Sequence, residues 1–381
     1  VAERGPDHVE ILDDVARRVV DGIARQSGEA LEDLILAQLD LDELGECLAG
    51  LPGDPVHHTT RNVVEDLDVV RAALGYEQIN LIGGSYGTRL ALEYARHHGE
   101  RVRTMVLDGV APPQMALPEG FAVDAQAAFD ALVASCQADP ACAKAFPDVA
   151  GDLERALERL GDGAITVAIE HPRTGAIEQL EVDRAAVVNG LRTVLYAPQL
   201  SVLLPLLIHR AAEGDFGPLL TEGAVFGGAM TDSMSTGLML SILCAEDLPR
   251  IDPEAQRARD RATFLGPTSF DRLAQACARW PHAPLPETAG EPVHSDAPTL
   301  LLSGAVDPVT PPRWAELAAE TLPNSIHVIV PNTGHGTITI DCIADQIATF
   351  IASADPSTVD ASCVEHIERP FFFIDFAGPS H

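Results

Sequence analysis

The sequence predicts an α/β fold: a mostly parallel sheet with a large helical segment inserted between its strands. Three observations carry this. Short apolar runs alternate with helical patterns as strand–helix–strand over 78–107, and again as strand–helix–strand–helix over 299–352. Between these blocks, residues 112–296 read mainly as helix, a placement that suits a cap over the sheet edge where such folds bind ligands. Finally, 46% of the 381 residues are hydrophobic, enough for a sizeable core.

Taken in order, residues 8–50 read as acidic amphipathic helix, with Leu12, Val15, Val19 and Ile23 at steps of three and four. Asn62 is expected to cap a further helix whose face carries Val63, Leu67, Val70 and Leu74, with Gly75 as its stop. Gln78–Ile82 is a buried strand, Thr88–His98 a helix, and Val102–Leu107 a second strand ended by Asp108-Gly109. In the insertion, helices are expected over Phe121–Cys136, Asp152–Leu160, Asp183–Leu195, Gln199–Ala212 and Ser233–Cys244. Ala164–Glu170 and Ala176–Val182 alternate around Pro172-Arg173-Thr174-Gly175 and read as a β-hairpin. The proline-rich stretch Pro281–Pro298 leads back to strand Thr299–Leu302, helix Pro311–Leu322, strand Ile326–Val330 and helix Thr339–Ala352. The expected units are therefore 1–111, 112–296 and 297–381.

A net charge of -32, from 25 Lys+Arg against 57 Asp+Glu, argues against nucleic acid or anionic membrane as partners. Lys144 is the sole lysine. No apolar run reaches the ~18 residues that suggest a membrane span. The start at Val1 shows no basic-then-apolar leader, so any export signal is expected to have been removed or never to have been part of this sequence. Seven cysteines form no CxxC pair, so no metal cofactor is expected. Six fall into sequence-local couples, 136 with 142, 244 with 277 and 342 with 363, although six cysteines allow many connectivities; Cys47 is left over.

The chemistry-bearing stretch is Gly83-Gly84-Ser85-Tyr86-Gly87, a G-x-S-x-G pattern between a buried strand and a helix. A serine on a sharp strand-to-helix turn sits in strained backbone, so neighbours without side chains must flank it. The turn lifts Oγ above the sheet, and the helix N-terminus behind it favours developing negative charge. The backbone N–H of Tyr86 is then one oxyanion donor. A phosphate-binding loop is disfavoured because the G-K-[ST] ending is absent. Such a serine needs a base and a group to orient it. Asp307 lies just past the Thr299–Ser303 strand, and His335 lies in the loop Pro331-Asn332-Thr333-Gly334-His335-Gly336 past the next one. Asp108, also at a strand end, is the rival acid; Asp307 is preferred because the acid must approach His335 from the neighbouring strand loop. His57-His58 and His97-His98 lack a strand-end setting.

Together, "GGSYGTRLALEYARHHGERVRTMVLDGVAPP", "LLLSGAVDPVTPPRWAELAAETLPNSIHVIVPNTGHG" and the late Cys342…Cys363 couple resemble the tripeptidyl aminopeptidase and prolyl iminopeptidase-like (TAP-like) branch of the α/β-hydrolases. The likeness covers roughly residues 45–380. It implies an α/β-hydrolase fold with a helical cap, a Ser85–Asp307–His335 triad, and export to the periplasm or cell exterior. It also implies removal of residues from peptides with a free N-terminus through an acyl-enzyme. The couples Cys136–Cys142, Cys244–Cys277 and Cys342–Cys363 are similar to that family's cysteine pairs. An aminopeptidase must bind an ammonium, for which Glu246 and Asp247 in the cap are the candidate carboxylates.

The chain departs from the family before the nucleophile strand. Residues 1–78 hold neither the glycine-rich loop that supplies a second oxyanion N–H nor the strands around it; Gly50-Leu51-Pro52-Gly53 is the nearest string. The expectation is an N-terminally incomplete or rearranged hydrolase in which Cys47 lacks its family partner. The expected function is a serine exopeptidase acting on peptide N-termini. The alternatives are a carboxylesterase of the same fold and a catalytically impaired hydrolase-like fragment.

Overall fold

Strand and helix alternate on either side of the chain's middle, and a computed structural model shows how the two blocks join. It describes residues 43–379 apart from 52, 162, 171–174 and 233, so most of the 8–50 helical reading lies outside the described residues. Helices α1 (Glu43–Gly50) and α2 (Thr60–Ala73) lead into β1 (Ile79–Gly84), α3 (Tyr86–His98) and β2 (Val102–Asp108). The insertion begins with α4 (Phe121–Ala138), α5 (Pro140–Ala145), α6 (Val149–Leu160) and the hairpin β3 (Ile165–Glu170) and β4 (Ile177–Val182). It continues with α7 (Arg184–Leu195), α8 (Pro198–Ser201), α9 (Leu204–Glu213), α10 (Gly217–Asp232), α11 (Thr236–Ile242), α12 (Pro253–Asp260) and α13 (Thr268–Cys277). The chain returns through β5 (Thr299–Gly304), α14 (Pro312–Ala319), β6 (Ser325–Val330) and α15 (Asp341–Ser353), then a small pair β7 (Phe373–Asp375) and β8 (Gly378–Pro379).

The sheet runs β1-β2-β5-β6, every pair parallel. Its register aligns Gly84 with Asp108, Asp108 with Leu302, and Gly304 with Val330. The loops beginning at Ser85, Gly109, Ala305 and Pro331 therefore leave from one edge, the carboxyl end where such sheets bind ligands. Side chains alternate between the two faces. Met105, Leu107 and Leu301 pack with Leu92, Tyr94, Ala315 and Leu322 on one face. Val106, Leu300, Leu302 and Val328 pack with Ile343, Ile347 and Phe350 on the other. Covered on both faces, β5 is buried at all six positions, which is why it reads as a continuous apolar run.

Several local expectations shift. The α2 cap is Thr59, whose side chain accepts the Asn62 N–H; Asn62 instead donates through Nδ2 to the His57 carbonyl. The expected apolar face of α2 is not covered among the described residues: Val70 is 53% and Leu74 65% exposed, and Ile82 on the edge strand β1 is 54% exposed. Helix α3 begins at Tyr86, not Thr88, because the turn at Ser85 is completed within a single residue. The segment read as one helix over Gln199–Ala212 is two, since Pro205 opens a new first turn in α9. Helix α10 was not expected, because its glycines lower helix propensity. They serve close packing instead: a Cβ on Gly223 would lie 2.7 Å from the Gly190 Cα of α7.

Three disulfides join Cys136 to Cys142, Cys244 to Cys277 and Cys342 to Cys363, while Cys47 is free and exposed. Among the described residues no helix is long and apolar enough to cross a membrane.

Candidate active site

The turn after β1 places Ser85 at φ 53, ψ -123, a left-handed conformation that costs of order 1–3 kcal/mol in a non-glycine residue. Three bonds hold it. The Ser85 N–H donates to the Asp108 carbonyl at 2.9 Å, and its own carbonyl accepts from the Thr88 N–H at 3.0 Å and the Thr88 hydroxyl at 2.6 Å. The turn is tight enough that a Cβ on Gly83 would clash with the Gly87 carbonyl oxygen and lie 2.6 Å from its carbon. Gly83 is thus the glycine that sterics require; a Cβ on Gly84 or Gly87 would meet nothing within 4 Å. Tyr86 is the first helical residue, so its N–H has no partner within the helix.

His335 sits in the loop after β6. Its Nδ1 lies 2.8 Å from Asp307 Oδ2 and 3.1 Å from the Thr310 hydroxyl. Asp307 is buried, and its carboxylate also accepts the N–H groups of Val309 and Thr310 and the Thr310 hydroxyl, at 2.8, 2.9 and 2.8 Å. Burial pushes the Asp307 carboxyl up, but the His335 charge and these donors outweigh it and hold it below the ordinary range. For His335, burial acts downward, and the charge and hydrogen bond of Asp307 prevail to raise it above the ordinary histidine value. With Nδ1 engaged by the carboxylate, Nε2 is the ring nitrogen left for proton transfer.

The His335 loop is positioned from two sides that sequence reasoning did not assign. The rival acid Asp108 does not bond the imidazole. It anchors the loop backbone, taking the Thr337 and Ile338 N–H groups on Oδ2 at 2.7 and 2.9 Å and the Thr337 hydroxyl on Oδ1 at 3.0 Å. From the insertion, the Tyr196 carbonyl accepts the His335 N–H at 2.9 Å, and its ring meets the imidazole edge-on at 5.2 Å. Gly334 allows this approach, since a Cβ there would collide with the Tyr196 carbonyl oxygen. Asp108 was legible as a strand-end acid, but Tyr196 carries no signal in the sequence because only tertiary packing brings it here.

Ser85, Tyr86 and His335 line one cavity of about 660 Å³. Its walls are largely apolar, with Leu117, Phe121, Leu220, Leu238, Ile242 and Val309 among them. Neither Glu246 nor Asp247 lines it. Asp247 is wholly buried and accepts Arg89 Nη1 at 2.9 Å on both oxygens, plus the Leu117 N–H at 3.0 Å. Glu246 lines a separate cavity of about 140 Å³ and accepts the Thr60 N–H at 2.8 Å and hydroxyl at 2.5 Å; Thr60 in turn lies 2.6 Å from the Tyr86 hydroxyl. Burial raises the Glu246 carboxyl despite these bonds.

Residues 42–144 match the family model described as alpha/beta hydrolase fold, and residues 262–363 match that of TAP-like protein. Ser85 falls in the first match, Asp307 and His335 in the second. The two matches support the TAP-like α/β-hydrolase family. Its relatives include serine protease Hip1 of Mycobacterium tuberculosis, 27% identical over 342 residues that cover 84% of this chain and 64% of the relative. Tripeptidyl aminopeptidase of Streptomyces lividans is 49% identical over 57 residues, covering 15% of this chain and 11% of the relative. Proline iminopeptidase of Xylella fastidiosa is 41% identical over 54 residues, covering 14% and 17%. The chain thus spans 64% of the length of the Hip1 relative.

Proposed function

We propose that this chain is a serine hydrolase that cleaves peptides near their N-termini through an acyl-enzyme. The observation that carries the reading is the Asp307–His335 pair opening, with the strained Ser85, into one apolar cavity. Neutral His335 takes the Ser85 proton at Nε2 as Oγ attacks the substrate carbonyl, and Asp307 stabilises the imidazolium that forms. The tetrahedral oxyanion is met by the Tyr86 N–H at the positive end of α3. The imidazolium then gives its proton to the leaving amine. Water attacks the acyl-enzyme with His335 again as base, returning the serine and releasing the acid.

The segment 112–296 serves as the cap, and three disulfides fit export to the periplasm or exterior. Tripeptidyl aminopeptidase and proline iminopeptidase relatives favour an exopeptidase. With Asp247 committed to Arg89, Glu246 is the carboxylate that a substrate ammonium would have to use, by way of Tyr86 and Thr60. The described lining of the Ser85 cavity contains no carboxylate, which favours a second reading, a carboxylesterase. Matched chromogenic peptides with free and acetylated N-termini separate the two. An aminopeptidase loses turnover when the amine is blocked; unchanged turnover refutes the exopeptidase reading.

A further inference from the structure

We propose that Arg192 is a specificity-determining residue of the Ser85 cavity and selects substrates that carry a carboxylate close to the cleaved bond. The inference rests on reading that cavity as the substrate site.

Among the described residues lining the cavity, Arg192 is the one with a permanent charge, in a chain where acids outnumber bases 57 to 25. The side chain is fixed rather than trailing into solvent. Its guanidinium carbon lies 5.1 Å from the Phe121 ring centroid and 5.5 Å from that of Tyr196, so aromatic rings orient the planar group. Nη2 donates to the Tyr196 hydroxyl at 2.9 Å. Among the described residues the buried Nε–H has no acceptor and no carboxylate forms an ion pair with Arg192. A cation held this way, between apolar walls and without a counter-ion, keeps in-plane donors for a forked carboxylate. Its field is strengthened by the low dielectric around it.

The position is also close to the chemistry. The Tyr196 ring that binds Arg192 is the ring that meets His335 at 5.2 Å. The Arg192 charge opposes protonation of His335. An acyl group reaching from Ser85 past Tyr196 brings its far end to the guanidinium. An acidic side chain on that acyl group neutralises the unpaired charge.

The test uses mono-para-nitrophenyl glutarate and para-nitrophenyl pentanoate, esters of equal chain length that differ by carboxylate against methyl. Binding is measured calorimetrically to the full chain carrying Ser85→Ala, so that catalysis plays no part. The expected result is a preference of roughly tenfold or more for the glutarate ester. Arg192→Gln should erase the preference and Arg192→Lys should keep part of it, which separates loss of the cation from loss of packing. A ratio unchanged by Arg192→Gln in folded protein, or an initial preference for pentanoate, overturns the proposal. Hydrolysis of the same esters by the unsubstituted chain is scored separately. If neither turns over while the Arg192-dependent preference persists, the carboxylesterase reading fails and the carboxylate-binding role of Arg192 stands.

Discussion

Replacing Asp108 separates the two strand-end acids. Asp108 Oδ2 holds the N–H groups of Thr337 and Ile338, and Oδ1 takes the Thr337 hydroxyl. In Asp108→Asn an amide oxygen at the Oδ2 position keeps both backbone bonds, and the amide NH2 donates to the Thr337 hydroxyl, which switches from donor to acceptor. Only the charge is lost. A charge-assisted bond exceeds a neutral one by about 1 kcal/mol, so three bonds give a stability loss of about 2–3 kcal/mol. The His335 loop stays in place, and kcat should fall by less than about tenfold, far short of what loss of a triad acid costs. Asp108→Ala instead strands two N–H donors, at about 1–3 kcal/mol each, and should melt the loop out of position. Asp307→Asn takes the charge from the partner of Nδ1 and should lower kcat by about 10³–10⁴. Because that carboxylate also accepts the Val309 and Thr310 N–H groups and the Thr310 hydroxyl, its stability loss should be at least the same, about 2–3 kcal/mol. The assay is kcat on a chromogenic ester, with thermal unfolding of each variant. The reasoning is refuted if Asp108→Asn damages kcat as severely as Asp307→Asn while its Tm stays normal. The pH profile adds a check. Activity requires neutral His335, whose proton affinity is raised by Asp307 and, further off, by Asp108, and opposed by Arg192. Activity should therefore rise with pH through a midpoint above the ordinary histidine value, and Asp108→Asn should move that midpoint to lower pH.

Gly83→Ala drives a methyl into the Gly87 backbone and should abolish Ser85 reactivity, whereas Gly84→Ala, with open space around its Cβ, should retain it; labelling rates of the two variants decide. Asp247→Ala leaves Arg89 buried without its partner and should cost about 3–5 kcal/mol, read as the fall in unfolding free energy in urea. The Cys244–Cys277 bridge closes a loop of 33 residues, so Cys244→Ser with Cys277→Ser should cost about 2–4 kcal/mol and lower Tm accordingly. An unchanged Tm would show that the bridge does not constrain the unfolded chain.

Much of this site is visible in the sequence because its parts are local. The turn at Ser85 needs Gly83 beside a strand and a helix start, and Asp307 and His335 each follow an apolar run, so position along the chain names them. The parts that were missed depend on contacts between distant segments. Asp108 sits two dozen residues beyond Ser85, yet its bonds go to Thr337 and Ile338. Tyr196 and Arg192 lie in an insertion whose helices give no hint of facing His335. Helix α10 was hidden because glycines chosen for close packing against α7 weaken the helical signal. Glu246 and Asp247 are adjacent in the sequence but part in the fold, Asp247 pairing with Arg89 and Glu246 bonding Thr60, a division that only tertiary packing decides.

The central claim is that Ser85 is a nucleophile activated by His335, and covalent trapping tests it most directly. Folded protein is treated with a fluorophosphonate and the adduct is located by peptide mass spectrometry. The account predicts a single adduct on Ser85 that disappears in Ser85→Ala and forms far more slowly in His335→Ala. Absence of any adduct on the folded chain, or equal labelling of the Ser85→Ala variant, would contradict it.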